Sequence, residues 1–306
     1  MVEKAKKIWM DGKLVNWDEA NVHVLTHTLH YGLGIFEGIR CYECSDGRSE
    51  IFRLDEHTAR LFDSAKIAQM KIPFSFDEIN QAIIDTIKVN DLKECYIRPL
   101  VFVGDGPMGL YVEDYPVRCT IAVWPWGAYL GEDGLKNGIR AKVSSYTRHH
   151  INVTMVKGKI SGHYVNSILA KKEVKTAGYD EAIMLDPNGF VAEASGANLF
   201  IVKNGVIITP PVTTVLDGIT RDSAIHIALK KGYDVQEATL ARDELYLADE
   251  VFFTGSAAEL TPVREIDDRT IGTGKPGPIT KDIQDTFFSI VKGEESDYES
   301  WLTYVE

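Results

Sequence analysis

Cysteines are few, long apolar runs are absent and positive charge is in deficit, and each shortage removes a class of protein. Four cysteines, Cys41, Cys44, Cys95 and Cys119, are too sparse for a disulfide framework in 306 residues. Cys41 and Cys44 make one C-x-x-C, yet no second Cys pair or spaced His pair accompanies it. His149-His150 is the single His doublet, and it has no partner motif. Neither pattern meets the ligand spacing of a zinc site, so no metal is expected. No stretch reaches the length of a membrane span, and MVEKAKKIWMDGK at the start lacks the apolar core of a signal peptide. A cytoplasmic protein with no membrane partner is expected. Lys and Arg number 33 against 45 Asp and Glu, a net charge of -12, with no basic stripe interleaved with aromatics. That balance argues against a nucleic-acid partner. It leaves room for a local anion site, where a few placed donors suffice.

A composition of 44% hydrophobic and 25% charged residues is that of an ordinary globular protein, and the length suits two compact domains. Asp11-Gly12 between apolar runs reads as a tight hairpin. A helix follows in FRLDEHTARLFDSAKIAQM, with Asp55 as its N-cap. Ser75 and Glu78 form a capping box for another, whose Ile79, Ile83 and Ile87 line one face. YIRPLVFVG and CTIAVW read as strands. The pattern then breaks into Gly, Pro and polar residues. This predicts a small α/β domain over 1–124, an interdomain loop over 125–138 and a large domain over 139–306. In the second half strands alternate with helices: a helix from about Gly162 to Ala177, another starting at Thr220 and stopping at Gly232, and a third in ITKDIQDTFFSIVKG. DEAIMLD, ANLFIVKNGVIITP and EVFFTG supply strands. The fold class is α/β (α+β), with a mixed, hairpin-rich sheet in each domain.

Two segments suit an anion. In LDGITRDSA, Gly218 precedes a helix start, where free N–H groups and the helix dipole favour negative charge. In FFTGSAAEL, small residues after a strand let a ligand approach the backbone. Each is equally an ordinary cap or turn on local grounds. Lys159 lies among small residues just before an apolar helix, where desolvation would free its amine as a nucleophile; an ordinary solvated lysine fits there too, and Lys157 stands two residues away. Glu193 sits among small and apolar residues and needs a partner, either a protonated ring nitrogen or a buried cation.

Taken together and in order, these residues resemble the class IV aminotransferases. The resemblance includes HYGLGIFEGIR at 30–40, Arg60 in ARLFDSAK, YIRPL at 96–100, PWGAYLG at 125–131, Lys159-x-x-Gly162-x-Tyr164 and Glu193 before Gly-x-Asn-Leu-Phe. It ends in Gly218-Ile219-Thr220-Arg221 and Gly255-Ser256-Ala257-Ala258-Glu259, so it covers nearly the whole chain, and the branched-chain amino-acid subfamily matches best. The resemblance implies a fold-type IV enzyme with pyridoxal 5'-phosphate between a small and a large domain. Lys159 would hold it as a Schiff base and shuttle the proton. Glu193 would face the ring nitrogen, Tyr164 the phenolic oxygen, and Arg60, Ile219, Thr220 and Ser256 the phosphate. Tyr31, Phe36, Met108, Trp126, Tyr129 and Tyr164 would form the side-chain pocket for leucine, isoleucine or valine, and Gly38 would also bind substrate. Ala257, Ala258 and Tyr96 would take the α-carboxylate and Arg98 the distal carboxylate of glutamate. It also implies a homodimer with shared active sites or a higher homo-oligomer, a hexamer included. The chain departs from the family's pattern at Ser256 in place of threonine, at Gly106-Pro107 in GDGPMGL and the YVEDYP after it, and in HHINVTMVKGKI. The competing readings are a D-amino-acid or (R)-amine transaminase, an aminodeoxychorismate lyase and a non-catalytic binding protein on the same scaffold.

Overall fold

A computed structural model describes residues 2–111 and 114–305, so Val112 and Glu113 of the YVEDYP segment lie outside the described residues. Asp11 and Gly12 both have positive φ, 49° and 85°, the backbone a two-residue hairpin turn requires. They join β1 (Lys7–Met10) to β2 (Lys13–Asn16). A short α1 (His27–Tyr31) leads into β3 (Gly34–Phe36), β4 (Ile39–Glu43) and β5 (Ser49–Phe52). Helices α2 (Leu54–Ile67) and α3 (Phe76–Val89) then connect to β6 (Cys95–Val103) and β7 (Val117–Trp124).

The expected capping box of α3 is present. Ser75 Oγ accepts from the Glu78 N–H at 3.3 Å, and the Glu78 carboxylate accepts from the Ser75 N–H at 2.7 Å. Ile79, Ile83 and Ile87 are wholly buried. They pack with Leu61 of α2 against Ile35, Ile39, Ile51, Ile97 and Ile121 of the sheet. The start of α2 differs from expectation. Its N-cap is Arg53, in the left-handed region at φ 54°, and Asp55 lies inside the first turn. The Arg53 N–H donates instead to the Trp301 carbonyl at 2.7 Å, while Asp55 accepts from Asn80 Nδ2 at 2.7 Å. A long-range partner thus sets the helix entry in place of a local cap.

Beyond Trp126 the stretch read as a loop contains α4 (Glu132–Asn137), bracketed by Gly131 and Gly138 at φ 84° and 81°. After β8 (Ile139–Val143), a 3-10 turn over Ser161–His163 opens into α5 (Tyr164–Thr176), which ends at Gly178 with φ 86°. Then come β9 (Glu181–Leu185), β10 (Val191–Ala194), β11 (Asn198–Lys203) and β12 (Val206–Thr209). They are followed by α6 (Ile219–Lys230), β13 (Val235–Glu237), α7 (Arg242–Leu247), β14 (Glu250–Gly255), β15 (Glu259–Ile266) and β16 (Arg269–Thr270). Helix α8 (Pro278–Val291) precedes the last strand, β17 (Leu302–Tyr304).

The first sheet runs β17-β5-β4-β6-β7-β1-β2, with β3 also on β6. Its strand pairs are all antiparallel among the described residues, where a mixed sheet was expected. Hairpins join its neighbours, and the α2–α3 pair returns the chain to an antiparallel position. The second sheet runs β10-β9-β8-β15-β14-β11-β12-β13 and is mixed. Its parallel pairs include β8 with β9 and β12 with β13, each joined by a helical crossover through α5 or α6.

The chain divides into two compact units. One comprises Met1–Trp126, Gly158–His163 and Ile290–Glu306, the other Gly127–Lys157 and Tyr164–Ser289. This differs from a division into two continuous stretches. Gly158–His163 joins the first unit because its backbone is tied there: Phe36 N–H donates to the Lys159 carbonyl at 3.1 Å, and Gly162 N–H to the Gly32 carbonyl at 3.0 Å. Gly32 and Gly162 approach so closely that a Cβ on Gly32 would stand 3.1 Å from the Gly162 Cα. Ile160 then fills part of the first core. Among the described residues no helix is long and apolar enough to cross a membrane.

Candidate active site

The first unit gathers its polar residues around Phe36. Lys159 is half-buried, whereas Lys157, exposed, lies 3.8 Å from Asp217 in the second unit, which separates the two lysines as the sequence alone does not. Lys159 N–H donates to Ser64 Oγ of α2 at 3.0 Å, and its carbonyl accepts from β3, so its backbone is held from both sides. Its Nζ stands 5.3 Å from the centre of the Phe36 ring. Arg98 lies over the same ring, with Cζ 4.7 Å from the centre, and donates through Nη2 to the Tyr96 hydroxyl at 3.3 Å. Tyr96 and Arg98 share a face because they are two apart on β6. Trp124, opposite Tyr96 on β7, joins that face, and Trp126 meets the Tyr96 ring edge-on at 4.5 Å. Arg40 Nη1 donates to the Trp126 carbonyl at 3.2 Å. Gly38 is required here, since a Cβ would lie 2.0 Å from the Tyr96 hydroxyl. Two buried donors on this face, Arg98 Nε and Trp124 Nε1, have no partner among the described residues.

Arg60 is brought to the same region by α2. It lies against Glu37, a wholly buried carboxylate between β3 and β4, with Nε 2.7 Å from Oε1 and Nη2 2.9 Å from Oε2. Tyr31 and Met108 are not gathered in. They are 45% and 41% exposed, too open to be walls of a pocket within this unit. The loop carrying Met108 is fastened to α1, where His27 Nε2 meets the Gly109 carbonyl at 2.8 Å.

The second unit forms another assembly around Asn198. Glu193 on β10 is buried and accepts from Arg148 Nε at 2.7 Å. Its Oε2 lies 3.3 Å from the Leu216 N–H and 3.4 Å from Asn198 Nδ2. Asn198 also donates to the Leu216 carbonyl at 2.9 Å. A Cβ on Gly218 would stand 1.9 Å from Asn198 Oδ1, so only glycine fits before α6. Ile219 and Thr220 begin that helix, and no side chain caps it. Its first N–H groups and dipole suit an anion. Asn198 pairs with Thr254, which places the β14–β15 turn, Ser256-Ala257-Ala258, beside Ala197. Thr261 Oγ1 bonds the Ala258 carbonyl at 2.6 Å and steadies that turn. Tyr164 opens α5 and is half-buried, while Tyr129 is 42% exposed, with Lys171 Nζ 5.3 Å from its ring centre.

Five residues central to these assemblies were assigned no role from the sequence. Two of them, His57 and Ser64, flank Arg60 at i, i+3 and i+7 on α2, and that helical spacing of polar residues at buried positions is a legible signal. Glu37 and Arg148 carry no local signal, because each is defined by a partner far along the chain. Asn198 lay within a recognised segment without a role.

A family model described as "Amino-transferase class IV" matches residues 34–266. A branched-chain-amino-acid aminotransferase of Pseudomonas aeruginosa is 51% identical over 306 residues, 100% of this chain and 99% of the relative. The crystal structure of the Escherichia coli branched-chain amino acid aminotransferase superposes with a TM-score of 0.97 at 48% identity, covering 99% of this chain and 100% of that one. The crystal structure of the branched-chain amino acid aminotransferase from Thermobaculum terrenum, in its PLP-form, has a TM-score of 0.93 at 37% identity and covers 99% of each chain.

Proposed function

Because this chain belongs to the class IV aminotransferase family, we propose that it transfers the amino group of L-leucine, L-isoleucine or L-valine to 2-oxoglutarate, in alternating half-reactions that use pyridoxal 5'-phosphate. The residues present suit that cofactor. A phosphate calls for a guanidinium, an uncapped helix start and hydroxyls, and Arg60, Ile219–Thr220 and Ser256 are those groups. A pyridine nitrogen that must stay protonated calls for a carboxylate, and buried Glu193 is one. When bound, pyridoxal phosphate supplies an aldehyde that condenses with amines and a ring that withdraws electrons.

The protein's part is positioning and proton transfer. Lys159 carries the reading: a half-buried lysine whose backbone is held by Ser64 and Phe36 presents one amine at a defined place. That Nζ would hold the cofactor and carry the proton between the substrate Cα and the cofactor's C4′ carbon. Glu193 would keep the proton on the ring nitrogen, and Tyr164 would donate its hydroxyl proton toward the phenolic oxygen. Tyr96 and the Ala257 and Ala258 N–H groups would take the α-carboxylate. Phe36, Trp126 and Gly38 would shape the side-chain pocket, and Arg98 would pair with the distal carboxylate of glutamate. Apolar contacts discriminate among neighbours by roughly 1–3 kcal/mol per methylene, so all three branched substrates should react.

A homodimer with shared active sites, or a higher homo-oligomer such as a hexamer, belongs to this reading. Tyr31, Met108 and Tyr129 would line a pocket only when covered. Val24, Leu29, Leu110 and Tyr111 of the first unit, each 63–88% exposed, add apolar surface that a second copy would bury. A cytoplasmic location is also part of it, in keeping with four cysteines buried as thiols.

The test is a visible spectrum of protein purified with pyridoxal phosphate, with L-leucine and then 2-oxoglutarate added, beside Lys159→Ala. A yellow band that bleaches and returns in wild type, and is not bleached in the variant, is expected. A response to D-amino acids or (R)-amines alone would keep the site and overturn the substrates. Normal turnover by Lys159→Ala would overturn the mechanism.

A further inference from the structure

Glu37, within HYGLGIFEGIR, is wholly buried and takes no direct part in the chemistry proposed above. Its Oε1 accepts from Arg60 Nε at 2.7 Å, and its Oε2 from Arg60 Nη2 at 2.9 Å. Oε2 also accepts from His57 Nδ1 at 2.7 Å and lies 3.3 Å from the Gly38 N–H. Burial alone would push this carboxyl up, but Arg60 and His57 hold it well below the usual carboxylate range. Burial, with the positive charges of Arg60 and Lys159 nearby, keeps His57 below its ordinary pKa despite Glu37. A neutral imidazole then donates its Nδ1 proton to Glu37.

Two parallel bonds onto one guanidinium define its plane as well as its position. Arg60 retains only the freedom that a carboxylate, itself held by His57 and a backbone N–H, allows it. Ser64, one turn further along α2, accepts from the Lys159 N–H. The same helix face therefore sets both Arg60 and the backbone of Lys159. A gain in stability is a weak reason for such a pair, because well-packed apolar residues often replace a buried ion pair without loss.

We propose that Glu37 is a positioning residue that aims the Arg60 guanidinium at the phosphate of the cofactor, with His57 clamping Glu37 in turn. The proposal rests on the reading of Arg60 as a phosphate ligand. It separates position from charge. A negative charge beside Arg60 weakens the field an incoming phosphate meets, so a role in charge balance alone would make phosphate binding tighter once that charge is removed. A positioning role has the opposite consequence.

Pyridoxal phosphate and unphosphorylated pyridoxal are titrated into the full chain freed of cofactor, following the visible band, and the ratio of their affinities is the readout. Glu37→Asp keeps the charge and withdraws the carboxylate by one methylene. It is expected to weaken pyridoxal phosphate by about tenfold or more, the scale of a charged hydrogen bond, and pyridoxal by about twofold at most, the range of a distant perturbation. Arg60→Ala should lower the ratio as well, and Glu37→Asp added to it should do nothing further. Glu37→Gln keeps the length and should also lower the ratio. An unchanged ratio in Glu37→Asp, or equal weakening of both compounds, overturns the inference and leaves a structural ion pair. A ratio that rises in Glu37→Gln assigns Glu37 to charge balance instead. Absence of any band in wild type removes the reading of the site itself.

Discussion

Arg148 donates through Nε to Oε1 of Glu193 at 2.7 Å, and both side chains are buried. A buried carboxylate was expected to meet either a ring nitrogen or a cation, and the cation occupies one oxygen while Oε2 lies near Asn198 and Leu216. Glu193→Gln would keep the shape of this arrangement and lose the charge proposed to hold a proton on a ring nitrogen. Its kcat should fall by about a hundredfold or more, the scale of a lost proton-transfer function, with cofactor still bound by the visible band. Arg148→Met leaves Glu193 buried without its ion-pair partner and should destabilise by about 3 kcal/mol or more, read in denaturant unfolding. Full activity in Glu193→Gln would remove Glu193 from the site.

Gly218 and Asn198 make a second prediction. A Cβ at Gly218 would enter Asn198 Oδ1 at 1.9 Å, whereas one at Gly196 meets nothing within 4 Å. Gly218→Ala should displace Asn198 and disturb the start of α6, so that cofactor dissociates during dialysis. Gly196→Ala should retain it. Equal retention by both variants would mean that the α6 start does not bind phosphate.

A third follows from Gly38, whose added Cβ would stand 2.0 Å from the Tyr96 hydroxyl. Gly38→Ala should push Tyr96 aside and raise the KM of every α-amino and α-oxo acid by about tenfold, the scale of one lost hydrogen bond to a charged group. Amines lacking the carboxylate should be indifferent. A rise confined to leucine would show that Gly38 shapes the side-chain pocket alone and does not set Tyr96.

The pH dependence of stability should carry the mark of Glu50. This carboxyl is wholly buried, neither oxygen has a hydrogen-bond partner among the described residues, and burial, with Cys41 nearby, pushes it up to about 10 from 4.5. The folded chain therefore keeps a proton that the unfolded chain releases above 4.5, and stability falls as pH rises from there toward 10. By pH 8 the loss is on the order of a few kcal/mol. Glu50→Gln should raise the thermal midpoint at pH 8 and change it little at pH 5. An equal shift at both values would show that Glu50 has another role.

Local chemistry was legible in the sequence, and partnership at a distance was not. The Asp11-Gly12 turn and the Ser75–Glu78 box are complete within four residues and appear as expected. Asp55 satisfies the same local rule, yet Arg53 starts α2 because its N–H is bonded to Trp301, almost the length of the chain away. The antiparallel character of the first sheet depends on how α2 and α3 return the chain, which strand patterning does not encode. Lys159, Arg60, Glu193 and the Gly218 turn could be singled out from motif order. Glu37 and Arg148 could not, since each acquires its meaning from a side chain folded against it.

Six residues carrying the lysine belong to one unit, while the chain on both sides of them belongs to the other. The last strand likewise returns to cover β5. No single break can therefore part this polypeptide into two self-sufficient pieces. A fragment ending at Trp126 would leave β5 as a bare sheet edge open to aggregation and would have no lysine strap for α2 to hold. The complementary fragment would carry Lys159 without the serine and strand that seat it. In such a chain the separated stretches of the first unit must all be present for Lys159 to find its place, and synthesis has to run to β17 before the first sheet is closed.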